Sequence, residues 1–384
     1  MELIPKEIAR ILPTEIVFGE GAVESVGEYA KKVGRSPLVV IGGGSVRKNG
    51  ILDKVERSLS RAGLRFAVHE GVHHDPTLED VVGIVWAIRD GLHDCVIALG
   101  GGSVIDASKI SARDVRNKPL IAVPTTAGTG SEVNRHAFLV DGERKRKFPK
   151  SDMALMAKTA IADPELTYSM PPELTSATGL DALTHLIEGY FNQRDRQKVN
   201  PLALENIPIV MEYLPRAYKD GGDKEARREM MKASVRAGVV IHFKPTGLPH
   251  GFSYSMYEEL AHGNAVAVLL PYCWAYYVPD IGEKSIQAAK ALGIKVNGMS
   301  PKESARAGIL RLFELYDELN HPKRLKDVKG MSEEKLAESA MALSKDFDKL
   351  DASPRRPSVG EEAETMLKIA QSAWEGDFES LFDL

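Results

Sequence analysis

Two side chains in the stretch TGLDALTHLIEGY, residues 178–190, have the types and the spacing that a metal site requires. Asp181 and His185 stand four residues apart in a segment predicted to be helical, so both project from one helix face. A carboxylate and an imidazole that converge on one point can bind a divalent cation. The same pair can also form an ordinary hydrogen bond at a helix surface, so the pair needs further ligands to indicate chemistry.

Two later histidines offer those ligands. His250 and His262 lie in GLPHGFSYSMYEELAHGN, residues 247–264, and each is followed by glycine. If the helical part of the chain folds back on itself, these two histidines join Asp181 and His185 around one cation. One carboxylate with three neutral imidazoles suits iron(II) or zinc. We interpret the other histidines as core or surface residues.

A glycine turn within DCVIALGGGSVIDASKI, residues 94–110, is predicted to bind phosphate. The run indicates a buried strand, a turn and a helix that begins near Ser103. Glycines let the backbone approach a ligand closely, and the free amides at a helix start favour anionic oxygens. GGGS is not the GxGxxG fingerprint, so a plain strand-to-helix connector is the alternative. Asp106, one turn into the helix, is predicted to orient the loop rather than to react.

A second polar loop lies in VPTTAGTGSEV, residues 123–133. Its threonine and serine hydroxyls could hydrogen-bond a polar ligand, and the first of them in the chain are those of Thr125 and Thr126. The alternative is a turn that caps a helix. Both loops follow strands of the same predicted parallel sheet. They therefore open at the carboxyl edge of the strands, where α/β folds bind ligands.

The elements that must position these groups fall into two halves. Residues 37–165 alternate short apolar runs with amphipathic segments, which predicts βαβ units and a parallel sheet. The prolines of YSMPPEL mark a break, and from residue 173 apolar residues recur at helical spacing. We predict an α/β domain with a parallel sheet at 1–172 and an all-α helical domain at 173–384.

Composition restricts the partners. The 384 residues include 50 basic and 54 acidic side chains, a formal charge of −4, so no general field attracts nucleic acid or an anionic membrane. A small-molecule partner is expected. No segment has the pattern of a signal peptide or a membrane span, so we expect a cytoplasmic protein. Cys95 and Cys273 are predicted to be buried free thiols, too few for a cysteine-based zinc site.

The order of the motifs resembles the iron-containing, or group III, alcohol dehydrogenase family. The motifs are PTEIVFGEGAVESVGE, GGGSVIDASK, PTTAGTGSEV, IADPELTYSMPPEL, TGLDALTHLIEGY, and HG twice before AVAVLLP. The resemblance implies that the α/β domain is a Rossmann-like dinucleotide-binding domain. It also implies a dehydroquinate synthase-like architecture with an active site in the cleft between two domains. It implies a metal-dependent hydride transfer between a small alcohol or aldehyde and NAD(P), and a homo-oligomer such as a homodimer. It also implies that Asp181, His185, His250 and His262 hold the metal, Fe(II) or alternatively Zn(II).

The resemblance implies a set of cofactor contacts as well. These are Gly43, the diphosphate loop Gly100, Gly101, Gly102 and Ser103 with Asp106, the nicotinamide-end residues Thr125 and Thr126, Lys147 and Leu166. Family members that select NAD carry an acidic residue where this chain has Gly43, and Arg47 and Lys48 would attract a 2′-phosphate. NADP is therefore favoured over NAD, while a flexible turn that accepts either cofactor is the alternative.

The chain departs from the family pattern at two places. Many members have a histidine, a suspected proton carrier, where this chain has Tyr254, which could relay a proton or only pack. The spacing from His250 to His262 is also shorter than usual, so the substrate loop is expected to differ. Phe252, Tyr254 and Tyr257 are expected to line a pocket for a modestly apolar alcohol. The alternatives in function are a dehydroquinate synthase-like or glycerol dehydrogenase-like metalloenzyme and a non-catalytic nucleotide-binding protein.

Overall fold

A computed structural model describes residues 3–143, 146–194 and 196–384 of the chain. The chain divides into two compact units. Unit 1 comprises Met1–Pro171 and Asp220–His242, and unit 2 comprises Pro172–Lys219 and Phe243–Leu384. This division differs from the predicted ranges 1–172 and 173–384 chiefly in the segment Asp220–His242.

The strands all belong to unit 1. In chain order they are β1 (Glu15–Phe18), β2 (Pro37–Gly42), β3 (Ala67–Val72), β4 (Cys95–Gly100), β5 (Leu120–Pro124), β6 (His136–Asp141), β7 (Arg146–Ser151) and β8 (Thr159–Ala162). Within the described residues, six of them form one parallel sheet in the order β1-β8-β5-β4-β2-β3. β6 and β7 pair separately as an antiparallel hairpin.

The helices occur in both units. In chain order they are α1 (Lys6–Ala9), α2 (Val26–Val33), α3 (Ser45–Lys48), α4 (Ile51–Arg61), α5 (Leu78–Asp90), α6 (Gly102–Asp114), α7 (Pro172–Phe191), α8 (Asn200–Lys219), α9 (Lys224–Phe243), α10 (Leu248–Ser253), α11 (His262–Ile281), α12 (Glu283–Ala291), α13 (Pro301–Glu318), α14 (Glu333–Leu343), α15 (Phe347–Ala352) and α16 (Glu362–Glu375).

Both faces of the parallel sheet are buried, because successive side chains of a strand point to opposite faces. Val40 and Ala98 enter one apolar cluster, whereas Val39 and Ile97 enter another. All four side chains are fully buried. Near-continuous apolar runs are typical of parallel strands covered on both sides, which explains why these strands were recognisable from sequence.

Helix α9, apart from its last residue, belongs to unit 1 through a close backbone contact. A Cβ atom at Gly238 would lie 2.4 Å from the carbonyl oxygen of Gly130. Gly130 has φ +56°, in the left-handed region that glycine adopts without strain. Because Gly130 lies in the loop after β5, two glycines distant in sequence join α9 to the loop.

Unit 2 is helical, and no strand occurs among its described residues. α7 packs against α8 and α11, and α11 also contacts α10, α13 and α16. Nearly every residue of α11 from Gly263 to Val278 is buried, so this helix is apolar on all sides and forms the core of the unit. Cys95 in unit 1 and Cys273 in α11 are buried free thiols, as predicted.

In the part of the chain that the structure describes, no helix has both the length and the apolar character needed to cross a bilayer.

We expect Gly238→Ala to destabilise the protein by roughly 1–3 kcal/mol, because its methyl group would lie 2.4 Å from the Gly130 carbonyl oxygen, so the backbone must shift. Denaturant unfolding monitored by circular dichroism measures this change. Gly83→Ala in α5 is the matched control, since the nearest atom to its added methyl group is 3.5 Å away. The control should be neutral or stabilising by up to about 1 kcal/mol. Equal effects of the two substitutions would contradict the proposed close contact.

Candidate metal centre and cofactor loops

Helix α7 presents three ionisable side chains on one face. Asp181, His185 and Glu188 follow one another at i, i+4 and i+7, so they lie along one stripe of the helix. All three are buried, at 2%, 4% and 3% exposure. A helix that buries three such groups needs partners for them from other segments.

His250 in α10 and His262 at the start of α11 supply those partners. Asp181 Oδ1 lies 3.5 Å from His185 Nε2, 3.6 Å from His250 Nε2 and 3.8 Å from His262 Nε2. Asp181, His250 and His262 offer ligand atoms that all lie within 4.8 Å of one another. His185 is outside that tighter set, but its Nε2 is 2.9 Å from His250 Nε2. The structure thus brings the four predicted ligands together.

The donor set fits a divalent cation. None of the described residues donates a hydrogen bond to Asp181 Oδ1, although this oxygen is buried. Burial works to raise the pKa of the Asp181 carboxyl, but His185, His250 and His262 outweigh it and hold the pKa well below its usual range. An anionic oxygen surrounded by imidazole nitrogens is the arrangement that iron(II) and zinc sites use. The His262 side chain keeps 21% exposure, so solvent reaches the cluster.

The outward ring nitrogens of two histidines also have partners. His250 Nδ1 contacts one carboxylate oxygen of Glu188, and the other oxygen, Oε1, accepts from Gly247 N at 2.8 Å. His262 Nδ1 lies 3.3 Å from Ser253 Oγ, whose own hydroxyl donates to the His250 carbonyl. In both rings Nε2 is therefore the atom left to face Asp181. Sequence reasoning missed Glu188 and Ser253, although Glu188 could have been noticed from its i+7 spacing to Asp181.

The glycine after His262 lets α11 start against α7. A Cβ atom at Gly263 would lie 1.9 Å from the carbonyl oxygen of Ala177 and 3.1 Å from Asp181 Cβ. No other residue type allows the two helices to approach so closely at this position. The HG pair in the sequence therefore combines a candidate ligand with the contact that brings it to α7.

In unit 1 the two predicted cofactor loops begin side by side. Gly100, the last residue of β4, is paired in register with Pro124, the last residue of β5. The turn at Gly101 leads into α6, whose first amides are free of intrahelical partners as at any helix start. Thr125 and Thr126 follow directly on β5. The predicted strand, turn and helix from residue 94 are thus confirmed, while phosphate binding at the turn stays a prediction.

Asp106 links α6, the helix after the glycine turn, to the threonine loop and to β6. Its carboxylate accepts hydrogen bonds from Ser131 Oγ in the threonine loop and from the Phe138 amide at 3.0 Å. Burial raises the pKa of this carboxyl, although Lys109 and the hydrogen bonds oppose the shift. The contacts agree with the predicted role of a residue that orients a loop. Ser103 Oγ donates to the His74 carbonyl and so ties the glycine turn to the segment after β3.

The other predicted cofactor residues have different surroundings. Lys147 in β7 is buried and forms an ion pair with Asp75. Burial works to raise the pKa of Asp75, but His74 and Lys147 lower it to about 2. Leu166 is 1% exposed and packs in the apolar cluster on one face of the sheet, so its role as a cofactor contact stays a prediction. Gly43 follows β2 and is exposed, with open space where a Cβ atom would stand.

The predicted pocket residues are mostly enclosed. Phe252 and Tyr254 have no exposed surface, whereas Tyr257 is partly exposed. The Lys349 Nζ atom lies 5.2 Å from the centre of the Tyr254 ring. These surroundings favour the packing alternative for Tyr254 over proton relay, and its catalytic role stays a prediction.

Taken together, a parallel sheet with a glycine turn for phosphate and a helical unit with a carboxylate–imidazole cluster define a metal-dependent dinucleotide enzyme. Two protein-family models match the chain. The model for iron-containing alcohol dehydrogenase matches residues 13–164, and the model for the C-terminal part of the Fe-containing alcohol dehydrogenase family matches residues 175–374. The chain therefore belongs to the iron-containing alcohol dehydrogenase family. It is an alcohol dehydrogenase or aldehyde reductase of that family, whose membership implies the use of a metal and NAD(P).

Individual relatives agree with this assignment. The chain is 32% identical to lactaldehyde reductase of Escherichia coli (strain K12), covering 93% of this chain and 97% of that protein. It is also 32% identical to the NADPH-dependent butanol dehydrogenase of Clostridium saccharobutylicum, covering 82% of this chain and 85% of that protein. The solved iron-containing alcohol dehydrogenase of Thermotoga maritima has a TM-score of 0.80 at 30% identity, covering 95% of this chain and 98% of that one. The predicted family, fold class and general activity are confirmed. An alcohol dehydrogenase is therefore favoured over a dehydroquinate synthase-like enzyme and over a non-catalytic nucleotide-binding protein.

We expect Asp181→Asn to weaken divalent metal binding, because it removes the one anionic ligand of the cluster. The loss of affinity should exceed the roughly 10–100-fold that is typical when a residue hydrogen-bonded to a metal ligand is replaced. Titration of metal-free protein with zinc against a chromophoric chelator measures the affinity. Thr184→Val is the matched control on α7, since the Thr184 hydroxyl bonds back to the Leu180 carbonyl within the helix. If Asp181→Asn binds zinc as tightly as the control does, the cluster is not the metal site.

Proposed function

We propose that this protein uses iron(II), held by Asp181, His185, His250 and His262, to oxidise small alcohols or reduce small aldehydes with NADP as the preferred dinucleotide. The observation that carries the proposal is the approach of three imidazole Nε2 atoms to within 3.8 Å of one buried carboxylate oxygen. Zinc is the alternative metal, because it accepts the same ligand types. The chemistry that such a cation supplies when bound is Lewis acidity toward an alcohol or carbonyl oxygen.

The residues of unit 2 hold the cation and determine the side from which the substrate approaches it. Asp181 supplies the negative charge, and the three imidazoles supply neutral nitrogen ligands. Burial of the cluster excludes most water, which strengthens every electrostatic interaction within it. The partly exposed His262 marks the side from which a small oxygen-bearing substrate approaches.

The residues of unit 1 are proposed to hold the dinucleotide. The amides at the start of α6, next to Gly100–Ser103, bind the diphosphate, and the helix dipole adds to this attraction. Thr125 and Thr126 offer hydroxyls to the nicotinamide end, while Lys147, kept in place by Asp75, offers a cation. The dinucleotide supplies the hydride acceptor in one direction and the hydride donor in the other.

The substrate class is proposed from the relatives. One relative is named a lactaldehyde reductase and another a butanol dehydrogenase, and both names refer to short-chain compounds. Because the spacing between His250 and His262 is shorter than usual in the family, the substrate loop is expected to differ. The individual alcohol therefore has to be identified by assay. The homo-oligomer and the cytoplasmic location expected from sequence stay predictions.

We expect metal-free protein to give no NADPH from NADP and short primary alcohols under anaerobic conditions, and activity to return with iron(II) more than with zinc. Absorbance at the NADPH maximum follows the reaction, since net cofactor reduction distinguishes a dehydrogenase from an enzyme that uses the cofactor only transiently. Dinucleotide binding measured in parallel controls for loss of the fold in unit 1. If the metal binds but no alcohol yields NADPH or NADH, the proposed function is wrong.

The preference for NADP is supported by the open space at Gly43 and by the exposed Lys48, five residues later in the chain. Arg47 is already paired with Glu70 of β3, which reduces its share in binding a 2′-phosphate. We expect Gly43→Asp to weaken NADP binding at least about tenfold, on the order of 1.4 kcal/mol, because the new carboxylate repels the 2′-phosphate. NAD binding should be kept or improved, since a carboxylate at this position accepts from ribose hydroxyls.

Calorimetric titration with each dinucleotide measures both affinities. Gly43→Asn is the control, because it adds nearly the same volume without the charge. Equal losses for Gly43→Asp and Gly43→Asn would show that steric hindrance rather than charge acts at this position.

A further inference from the structure

We propose that Glu188 is the positioning residue that fixes His250 as a metal ligand, an inference that rests on the proposed metal site. Glu188 lies on the same face of α7 as Asp181 and His185, yet both of its oxygens are directed to α10 and the residue before it. One oxygen contacts His250 Nδ1 and the other accepts from the Gly247 amide at 2.8 Å. The carboxylate thus holds both the ring of His250 and the backbone that carries it.

The contact determines which nitrogen of His250 carries the proton. A carboxylate offers acceptors only, so Nδ1 must donate to Glu188. The neutral ring then has its lone pair on Nε2, and Nε2 is the atom 3.6 Å from Asp181 Oδ1 and 2.9 Å from His185 Nε2. Glu188 therefore selects the tautomer that can bind a cation at the point where the other ligands converge.

The position of α10 also depends on Glu188. This helix has six residues, and its N-cap, Gly247, has no side chain that could cap it. Its first amides are instead held from α7 and α11: Gly247 N donates to Glu188, and Leu248 N donates to the Tyr277 hydroxyl at 3.0 Å. Because His250 lies on this short helix, the contacts that fix the helix start also fix the distance of the ring from Asp181.

A buried cation balances the charge of Glu188. The Nζ atom of Lys349 donates to the carbonyl oxygen of Thr246 at 3.1 Å and to its hydroxyl at 2.7 Å, directly before Gly247. Burial lowers the pKa of Lys349 to about 8, while the charge of Glu188 acts in the opposite direction. Thr246 and Gly247 are thus held by a buried cation and a buried anion, Lys349 and Glu188.

Glu188 acts through His250 rather than as an additional ligand. Both of its oxygens are occupied, one by His250 Nδ1 and the other by the Gly247 amide, so neither is left to bind a cation. Carboxylates placed behind metal-binding histidines raise the basicity of the ring and orient it. A side chain that only stabilised the fold would leave the tautomer of His250 and the intrinsic metal affinity unchanged.

The test combines metal affinity with a direct measurement of the tautomer. In Glu188→Gln the amide can accept at one end only, so it cannot serve both His250 and Gly247. We expect zinc affinity of the metal-free protein to fall about 10–100-fold in competition with a chelator. Nitrogen-15 NMR of the histidine rings in metal-free protein should show His250 losing its uniform Nδ1–H form. The control Thr184→Val should keep both properties.

Each outcome decides the matter. Unchanged zinc affinity and an unchanged His250 tautomer in Glu188→Gln would overturn the proposal, while the wild-type protein could still be a metal-dependent dehydrogenase. If the wild type itself binds no divalent metal, the proposed function fails, yet the NMR tautomer still tests Glu188. Should Glu188→Gln not fold, Glu188→Asp keeps the charge and shortens the reach by one methylene. Reduced zinc affinity in that variant supports the proposal, and wild-type affinity contradicts it.

Discussion

The buried charge of Asp181 is the constraint on which the organisation of unit 2 depends. Removing a carboxylate from water costs on the order of several kcal/mol unless other groups compensate it. Here the compensation comes from three imidazoles on α7, α10 and the start of α11. These segments must therefore meet at one point, and the glycine at 263 permits the closest approach. Helix α11, which is apolar on all sides, then packs in the core around this cluster.

The same cluster would be a poor structural core if it had no ligand to bind. Natural proteins hydrogen-bond nearly all their buried polar atoms, and exceptions occur where strain or function requires them. Asp181 Oδ1 is such an exception among the described residues, and two imidazole Nε2 atoms face each other at 2.9 Å nearby. Several acceptors directed at one point are favourable only when a cation shares that point. The arrangement is thus explained by function better than by stability.

Sequence predicted the parts of this protein that depend on local spacing. The pair Asp181 and His185 is visible because i and i+4 share a helix face, and the glycine turn after β4 is visible because strand, turn and helix are contiguous. His250 and His262 could be joined to this pair only on the condition that the chain folds back, because no local pattern contains their proximity to Asp181. The motif resemblance then implied that they do join it. The membership of α9 in unit 1 was missed, since it depends on Gly238 meeting Gly130 across a long separation. Periodicity also could not show that Tyr254 is wholly enclosed, because a tyrosine beside a candidate site looks the same whether it packs or reacts.

Each unit uses buried charges to fix a backbone segment rather than to stabilise the fold. In unit 1, Asp106 and Lys109 extend from α6. Asp106 accepts from Ser131 Oγ in the threonine loop, and Lys109 donates to the carbonyls of Asn134 and His136 directly after it. In unit 2, Glu188 and Lys349 bind the two residues that precede α10. Buried ionic groups are often no more stabilising than apolar residues of the same volume, but breaking them leaves an uncompensated charge. A segment held in this way has one favourable position. A loop or short helix needs a fixed position when it carries groups that must contact a cofactor or a metal to within a few tenths of an ångström.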